Sequence, residues 1–160
     1  MTMPVYPLPV KVVSEKLEHY MQEHPDIEFF TPSTEHSAGI DLRAVLDEPL
    51  ILEPKLQYKI HTGIQVAIPI GFMGLIIPRS SSGVKKKLHL ANTTGVIDSD
   101  YRGEIFLFAY HRHHTPIRIE PYERVMQLVV VPYMRVKPEF VDELPSTRRG
   151  EKGFGSTGSH

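Results

Sequence analysis

The chain reads as an all-β domain carrying one short helix. Fourteen prolines and 11 glycines cut its 160 residues into short runs rich in Val, Ile and Phe, the rhythm of many strands joined by tight turns. Between residues 60 and 68, apolar and polar positions alternate as in a half-buried strand. Only residues 14–24 show helical spacing. So many strands with so little helix point to a sandwich or a jelly-roll barrel.

Each element follows from local chemistry. Val10–Val13 is a first strand. Ser14 is placed to cap a helix that Pro25 stops near His24, with Leu17, Tyr20 and Met21 at the spacing that packs against a sheet. Ile60, Thr62, Ile64, Val66 and Ile68 share one face of a strand, with His61 and Gln65 opposite. Pro69-Ile70-Gly71 turns the chain into Gly74–Ile77, which ends at Pro78. Leu88–Asp98 and Glu104–His111 are expected to form a hairpin. The run Ile105–Tyr110, apolar on both faces, is expected at its centre, covered on both sides. Ile117 and Ile119 alternate with Arg118 and Glu120, and Val125–Val131 forms a last long strand. The core domain is expected to span 1–145. Beyond it, residues 146–160 hold almost no core-forming side chains, so this arm is expected to be mobile until it binds something.

Composition excludes several classes. One domain fits this length, with room for a real core. A hydrophobic content of 41% and a charged content of 23% are ordinary for a soluble globular protein. Net charge −1 and a pI near 6.8 leave no global field for nucleic acid or membrane. With no cysteine there is no thiol catalysis, disulfide or Cys-based zinc site. No secretory signal is visible and no apolar run is long enough to span a bilayer, so a cytoplasmic location (nuclear in a eukaryotic or viral setting) is expected.

Five segments carry chemistry. Gly95–Ile105 sets Asp98, Asp100 and Tyr101 between glycines at the expected hairpin turn. In an extended strand, 98 and 100 would share one side and 99 and 101 the other. Acid, aromatic ring and exposed backbone together suit a small planar ligand with a water beside it. Pro78-Arg79-Ser80-Ser81-Ser82-Gly83 offers a guanidinium fork, hydroxyls and a glycine turn to an anion, or else is a polar strand-to-loop junction. In Ser37–Ala44, Asp41 lies between apolar neighbours; it either pairs with Arg43 or a backbone donor, or supports a hydrated Mg²⁺. Gln127 is a single amide in an apolar strand and must find partners. The tail mixes Arg148 and Arg149 with Phe154, Ser156 and Thr157, suiting a lid over an aromatic, phosphorylated ligand. It is not a Walker loop, since Ser156 stands at the lysine position with no strand-to-helix context. Lys85-Lys86-Lys87 is expected as a solvated loop, and His111, His113 and His114 as an exposed turn rather than a metal site.

In order and spacing, these five segments resemble the five motifs of the trimeric dUTPases, across positions 38–158. That resemblance implies a distorted jelly-roll (β-clip) homotrimer whose active sites are shared between subunits. It further implies Mg²⁺-assisted hydrolysis of dUTP to dUMP and pyrophosphate, keeping uracil out of DNA and supplying dUMP for thymidylate synthesis. Asp98 would activate the water that attacks the α-phosphorus, with Asp100 in support. Asn92, Gly95 and the backbone of Val96, Ile97 and Asp98 would hold uracil, and Tyr101 would pack under deoxyribose and exclude a 2′-hydroxyl. Arg79, Ser80, Ser81 and Gln127 would hold phosphates or the water, and Asp41 would reach Mg²⁺ through water. Phe154 would stack on uracil while Arg149, Ser156 and Thr157 close over the outer phosphates of a neighbour's site. The chain departs from the family pattern at Tyr122 (usually Gly), Met126 (commonly Ala), Lys152 (frequently Gly) and in its 14–24 helix. A dCTP deaminase shares the Arg-Ser-Ser signature but needs a Glu where this chain has Phe108. A binding module that keeps the nucleotide site only for sensing is the rival from another class.

Overall fold

The computed structural model describes residues 5–151. Eleven strands form within this span: β1 (Val10–Val12), β2 (Gly39–Arg43), β3 (Leu50–Leu52), β4 (Gln57–His61), β5 (Ile64–Val66), β6 (Phe72–Pro78), β7 (Leu88–Leu90), β8 (Gly95–Ile97), β9 (Phe106–His111), β10 (Ile117–Ile119) and β11 (Arg124–Pro132). Helix α1 spans Glu15–Glu23, and a single π-helical turn covers Ser81–Lys85. All strand pairs are antiparallel. The two larger sheets run β2-β11-β6-β8 and β4-β9-β7, while β1 pairs with β5 and β3 with β10. The ladders are separate, so the described strands do not close into one hydrogen-bonded barrel. The inward faces meet in one core that includes Leu42, Leu52, Ile60, Leu107, Ile119 and Leu128, each no more than 1% exposed.

The expected helix forms as its sequence dictates. The Ser14 hydroxyl accepts the Leu17 N–H at 3.3 Å, and the His24 N–H closes on the Tyr20 carbonyl before Pro25. Leu17 is fully buried and Met21 packs on the core. Tyr20 departs from the expectation: its ring lies parallel to that of Tyr122, 3.7 Å between centroids and 9° between planes.

Five expectations are corrected. The 60–68 run is not one strand: Ile60, Thr62, Ile64, Val66 and Ile68 are all buried, but Gly63 at φ +71° breaks the run. Its first half pairs with β9 and its second with β1. The expected hairpin also divides. Leu88–Leu90 pairs with β9, whereas Gly95–Ile97 leaves for β6 in the other large sheet, and residues 98–105 cross between the two. Strand β9 is central but alternates; Leu107, Ala109 and His111 are buried while Phe108 is 39% exposed. His111 therefore does not belong to an exposed turn. It points inward opposite Leu88, its Nδ1 accepting the His113 N–H, while His113 and His114 stay at the surface. Lys86 is not merely solvated either, since its ammonium group pairs with Glu123 and donates to the Arg118 carbonyl.

Residues 133–151 add no strand or helix and lie at the surface, with Met134, Val136, Phe140 and Leu144 each at least 74% exposed.

Candidate functional site

The first cluster grows from the β2-β11-β6 ladder. Gln127 on β11 lies opposite Asp41 on β2 and Ile77 on β6, so Asp41 and Gln127 are cross-strand neighbours. A Cβ on Gly39 would fall 2.0 Å from the Gln127 Oε1, which makes a side chain there incompatible with the amide. The Gln127 Nε2 donates to the Pro78 carbonyl at 3.1 Å, where β6 ends and Arg79 begins. Arg79 Nε then meets Asp41 Oδ1 at 2.7 Å, and Arg124 Nη1 meets Oδ2 at 3.1 Å. A register shift between Arg124 and Met126 buries both Val125 and Met126 and directs Arg124 back toward Asp41. Of the partners weighed for Asp41, Arg43 is not the one used; Arg79 and Arg124 pair with it instead. Arg43 donates instead to the Tyr122 carbonyl at 3.0 Å and lies over the Phe29 ring. Partial burial, then the nearby Arg124 charge, lower the Arg43 pKa.

Beyond Arg79, the π-helical turn separates three serines that look alike in sequence. Ser80 and Ser81 are exposed, whereas Ser82 is buried. Gly83 is not in a left-handed conformation. Its absent side chain permits close packing on Pro78, whose Cβ would stand 3.2 Å from an added Cβ. Ser80, Arg79, Asp41, Gly39 and Gln127 line a polar pocket of about 440 Å³ with Ser33 and Ser37. A guanidinium group, hydroxyls and an amide in one open cleft suit a phosphate chain.

The second cluster forms where β8 hands the chain to β9. Gly95, Val96, Ile97, Asp98, Tyr101 and Asn92 line a pocket of about 240 Å³ with Ile76 and Phe108. Its rim is a turn rather than an extended strand, so side alternation does not extend through residues 98–101. The Tyr101 N–H donates to the Asp98 carbonyl at 3.2 Å. The phenol donates to the Glu104 carbonyl at 2.9 Å, and a Cβ on Gly103 would meet the phenolic oxygen at 2.3 Å. Only glycine at 103 lets this ring fold back. The Asp98 side chain is at the exposed mouth, with water within reach of a carboxylate.

Among the lining residues that sequence reasoning missed are Phe108 and Glu104. Phe108 entered it only as the absence of a deaminase acid. Glu104 looked like the polar start of a strand, yet its carboxylate turns to the Gly63 N–H at 2.9 Å and to His61 Nδ1 at 3.1 Å. A Glu directly before a fully buried Ile105 was the available signal.

The two pockets share no lining residue. Within one chain, the planar-ligand side and the anion side are therefore separate surfaces. Arg149 is described but lies on the exposed terminal segment. Phe154, Ser156, Thr157 and Lys152 lie outside the described residues. Among the described residues, no three His, Asp or Glu side chains converge as metal ligands, and no helix is long and apolar enough to cross a membrane.

Tyr122 occupies a left-handed conformation at φ +59°, a shape natural to glycine. Its ring stacks on Tyr20, its hydroxyl donates to the Lys16 carbonyl, and partial burial raises its pKa. Helix α1 and Tyr122, both expected from the sequence to depart from the family pattern, thus contact each other.

Comparison with known proteins gives the family. The sequence model of the dUTPase family matches residues 25–158. The deoxyuridine 5′-triphosphate nucleotidohydrolase of Ectopseudomonas mendocina is 41% identical over 98% of this chain and all of its own length. That of Paraburkholderia phymatum is 46% identical over 80% of this chain and 87% of its own. The dUTPase of Staphylococcus bacteriophage 80alpha, solved with dUpNHpp, superimposes with a TM-score of 0.78 at 30% identity, covering 96% of this chain and 99% of that one. Fold, motif order and near-complete coverage coincide, and the chain belongs to the dUTPase family.

Proposed function

We propose that this chain is a dUTP diphosphatase that cleaves dUTP to dUMP and pyrophosphate. The observation that carries the reading is the exposed Asp98 carboxylate at the lip of a pocket formed by Asn92, Gly95–Ile97 and Tyr101. Uracil enters edge-on against the β8 backbone, where a close fit leaves no space for the thymine methyl. Tyr101 packs under deoxyribose and crowds out a 2′-hydroxyl. Asp98 accepts the proton of a water aligned on the α-phosphorus, and pyrophosphate departs. Arg79, Ser80, Ser81 and Gln127 hold the phosphates with hydrogen-bond donors positioned before the reaction begins.

The separation of the two pockets supports a site assembled between copies of the chain: one copy gives the base pocket and another the phosphate cleft. A jelly-roll homotrimer with arms exchanged over neighbouring sites fits this division. On this reading Arg149, Ser156 and Thr157 close over the outer phosphates, and Phe154 stacks on uracil. Mg²⁺ fits only as an ion carried by the triphosphate. Both Asp41 oxygens already accept guanidinium groups, leaving them to reach the ion through water. When bound, the ion neutralises phosphate charge.

A deaminase reading finds no support in the pocket. Phe108 replaces the needed acid, and the one glutamate in the lining has its carboxylate engaged by Gly63 and His61. The test is pyrophosphate release from dUTP, dCTP, dTTP and UTP with Mg²⁺, with ammonia followed in parallel. Release from dUTP alone is expected. Binding of dUTP without release would make the chain a sensor, and ammonia from dCTP would make it a deaminase.

A further inference from the structure

We infer that Glu104 and His61 form a buttress that positions Tyr101, and that this pair thereby sets how strongly the site prefers a deoxyribose over a ribose triphosphate. The inference rests on the placement of the sugar against Tyr101 proposed above.

Residues 98–105 cross from one large sheet to the other and are paired to neither. Several contacts that hold this crossing are internal to it: Tyr101 N–H to Asp98, the phenol to the Glu104 carbonyl, and Arg102 Nη1 to the carbonyls of Ser99 and Tyr101 at 2.8 Å. Internal bonds fix the shape of a loop without fixing where it stands. Its position comes from the 61–64 corner between β4 and β5. There Glu104 accepts the Gly63 N–H on Oε1 and meets His61 on Oε2, while Ile105 exchanges bonds with Ile64 and Thr62 at 2.9 and 2.6 Å. The Glu104 side chain is only 19% exposed, so its two contacts form in a partly water-excluded place. His61 is itself steadied by an edge contact with Phe106, 5.0 Å between centroids.

Tyr101 is bonded through its phenol to the backbone carbonyl of the residue whose carboxylate is clamped. Ring height and clamp are therefore mechanically one unit. Discrimination against one hydroxyl depends on a clash whose size changes steeply with ring position, so loosening the clamp admits ribose before it abolishes turnover. Glu104 and His61 touch no reacting atom in this scheme; they act through Tyr101.

The test is the ratio of kcat/KM for dUTP to that for UTP, measured beside the melting temperature. Glu104→Ala is expected to lower the ratio about tenfold, the equivalent of losing one charge-assisted hydrogen bond. Glu104→Gln keeps an acceptor for Gly63 and is expected to restore most of it. Tyr101→Phe keeps the ring but cuts the tether, and is expected to lower the ratio by a similar factor, non-additively with Glu104→Ala. A purely structural role would lower activity on both substrates together and leave the ratio unchanged. If Tyr101→Ala leaves the ratio untouched, the sugar placement itself is wrong. If Tyr101→Ala collapses the ratio while Glu104→Ala and Tyr101→Phe preserve it, the buttress is refuted. Should Glu104→Ala fail to fold, Tyr101→Phe alone decides: an unchanged ratio overturns the inference.

Discussion

The base pocket and the phosphate cleft are built by opposite means. The base pocket is formed largely by backbone: a short strand, a turn closed by its own N–H groups, and a glycine at 103 that leaves room for a phenol. The phosphate cleft is formed by side-chain charge, with Asp41 between Arg79 and Arg124. A pocket of backbone reads shape and is insensitive to salt. A cluster of guanidinium groups reads charge, is partly preorganised by its central carboxylate, and weakens as ions screen it. On the function proposed above, selectivity comes from one region and binding strength from the other.

The sharpest way to break this division is at the exposed carboxylate of the base pocket. Asp98→Asn preserves the shape and removes the base, so turnover is expected to fall about 10³-fold while dUTP affinity changes only a few-fold. Normal turnover by that variant would disprove the base assignment. Arg79→Ala attacks the other region. It removes a phosphate ligand and leaves Asp41 with Arg124 alone, so kcat/KM is expected to fall about 10²-fold, chiefly through KM. In the wild type, KM for dUTP should rise between low and high salt, whereas the preference for dUTP over UTP should stay flat. A preference that falls with salt would mean that charge, not shape, reads the sugar.

Truncation after Pro145 separates closure from folding. No strand or helix is lost with it among the described residues, so the melting temperature should move by no more than about 2 °C. Catalysis should nevertheless drop by an order of magnitude or more, because the arm supplies Arg149, Phe154, Ser156 and Thr157 on the reading proposed here. Loss of the folded state would show that the arm is structural instead.

Much of this was legible in the sequence, and the failures share one cause. Hydrophobic alternation reports which side chains are buried, and it did so correctly from Ile60 to Ile68. It does not report which sheet receives them, so the hand-over at Gly63 and the crossing at 98–105 were invisible to it. Motif chemistry identified Asp41, Arg79 and Gln127 but not their pairing, since Arg124 reaches Asp41 only through a register shift. The inward turn of His111 depends on the register between β9 and β7, which its neighbours His113 and His114 obscured. Glu104 was passed over because its partners lie more than forty residues away.

The smallest expected effect concerns the contact between α1 and the turn before β11, where Tyr122 stands in a glycine-like conformation beside Tyr20. Replacing Tyr122 with Gly relieves backbone strain of about 1–2 kcal/mol. It also forfeits a ring stack of about 0.5–1.5 kcal/mol, a hydrogen bond of about 0.5–1.5 kcal/mol, and some chain entropy. The losses outweigh the relief, so Tyr122→Gly should destabilise the protein by about 1 kcal/mol. Tyr20→Ala loses the stack with no relief of strain and should cost more, about 1–2 kcal/mol, while kcat is preserved because α1 touches no phosphate ligand directly. In the Tyr122→Gly background the same Tyr20→Ala change should cost about 1 kcal/mol less, a coupling that denaturant titration of the four proteins resolves. Strict additivity would mean that the two rings stack without stabilising each other, and that the other contacts of α1 hold it. A coupling with unchanged kcat would instead show that α1 and the tyrosine support one another, leaving the charge cluster as it stands.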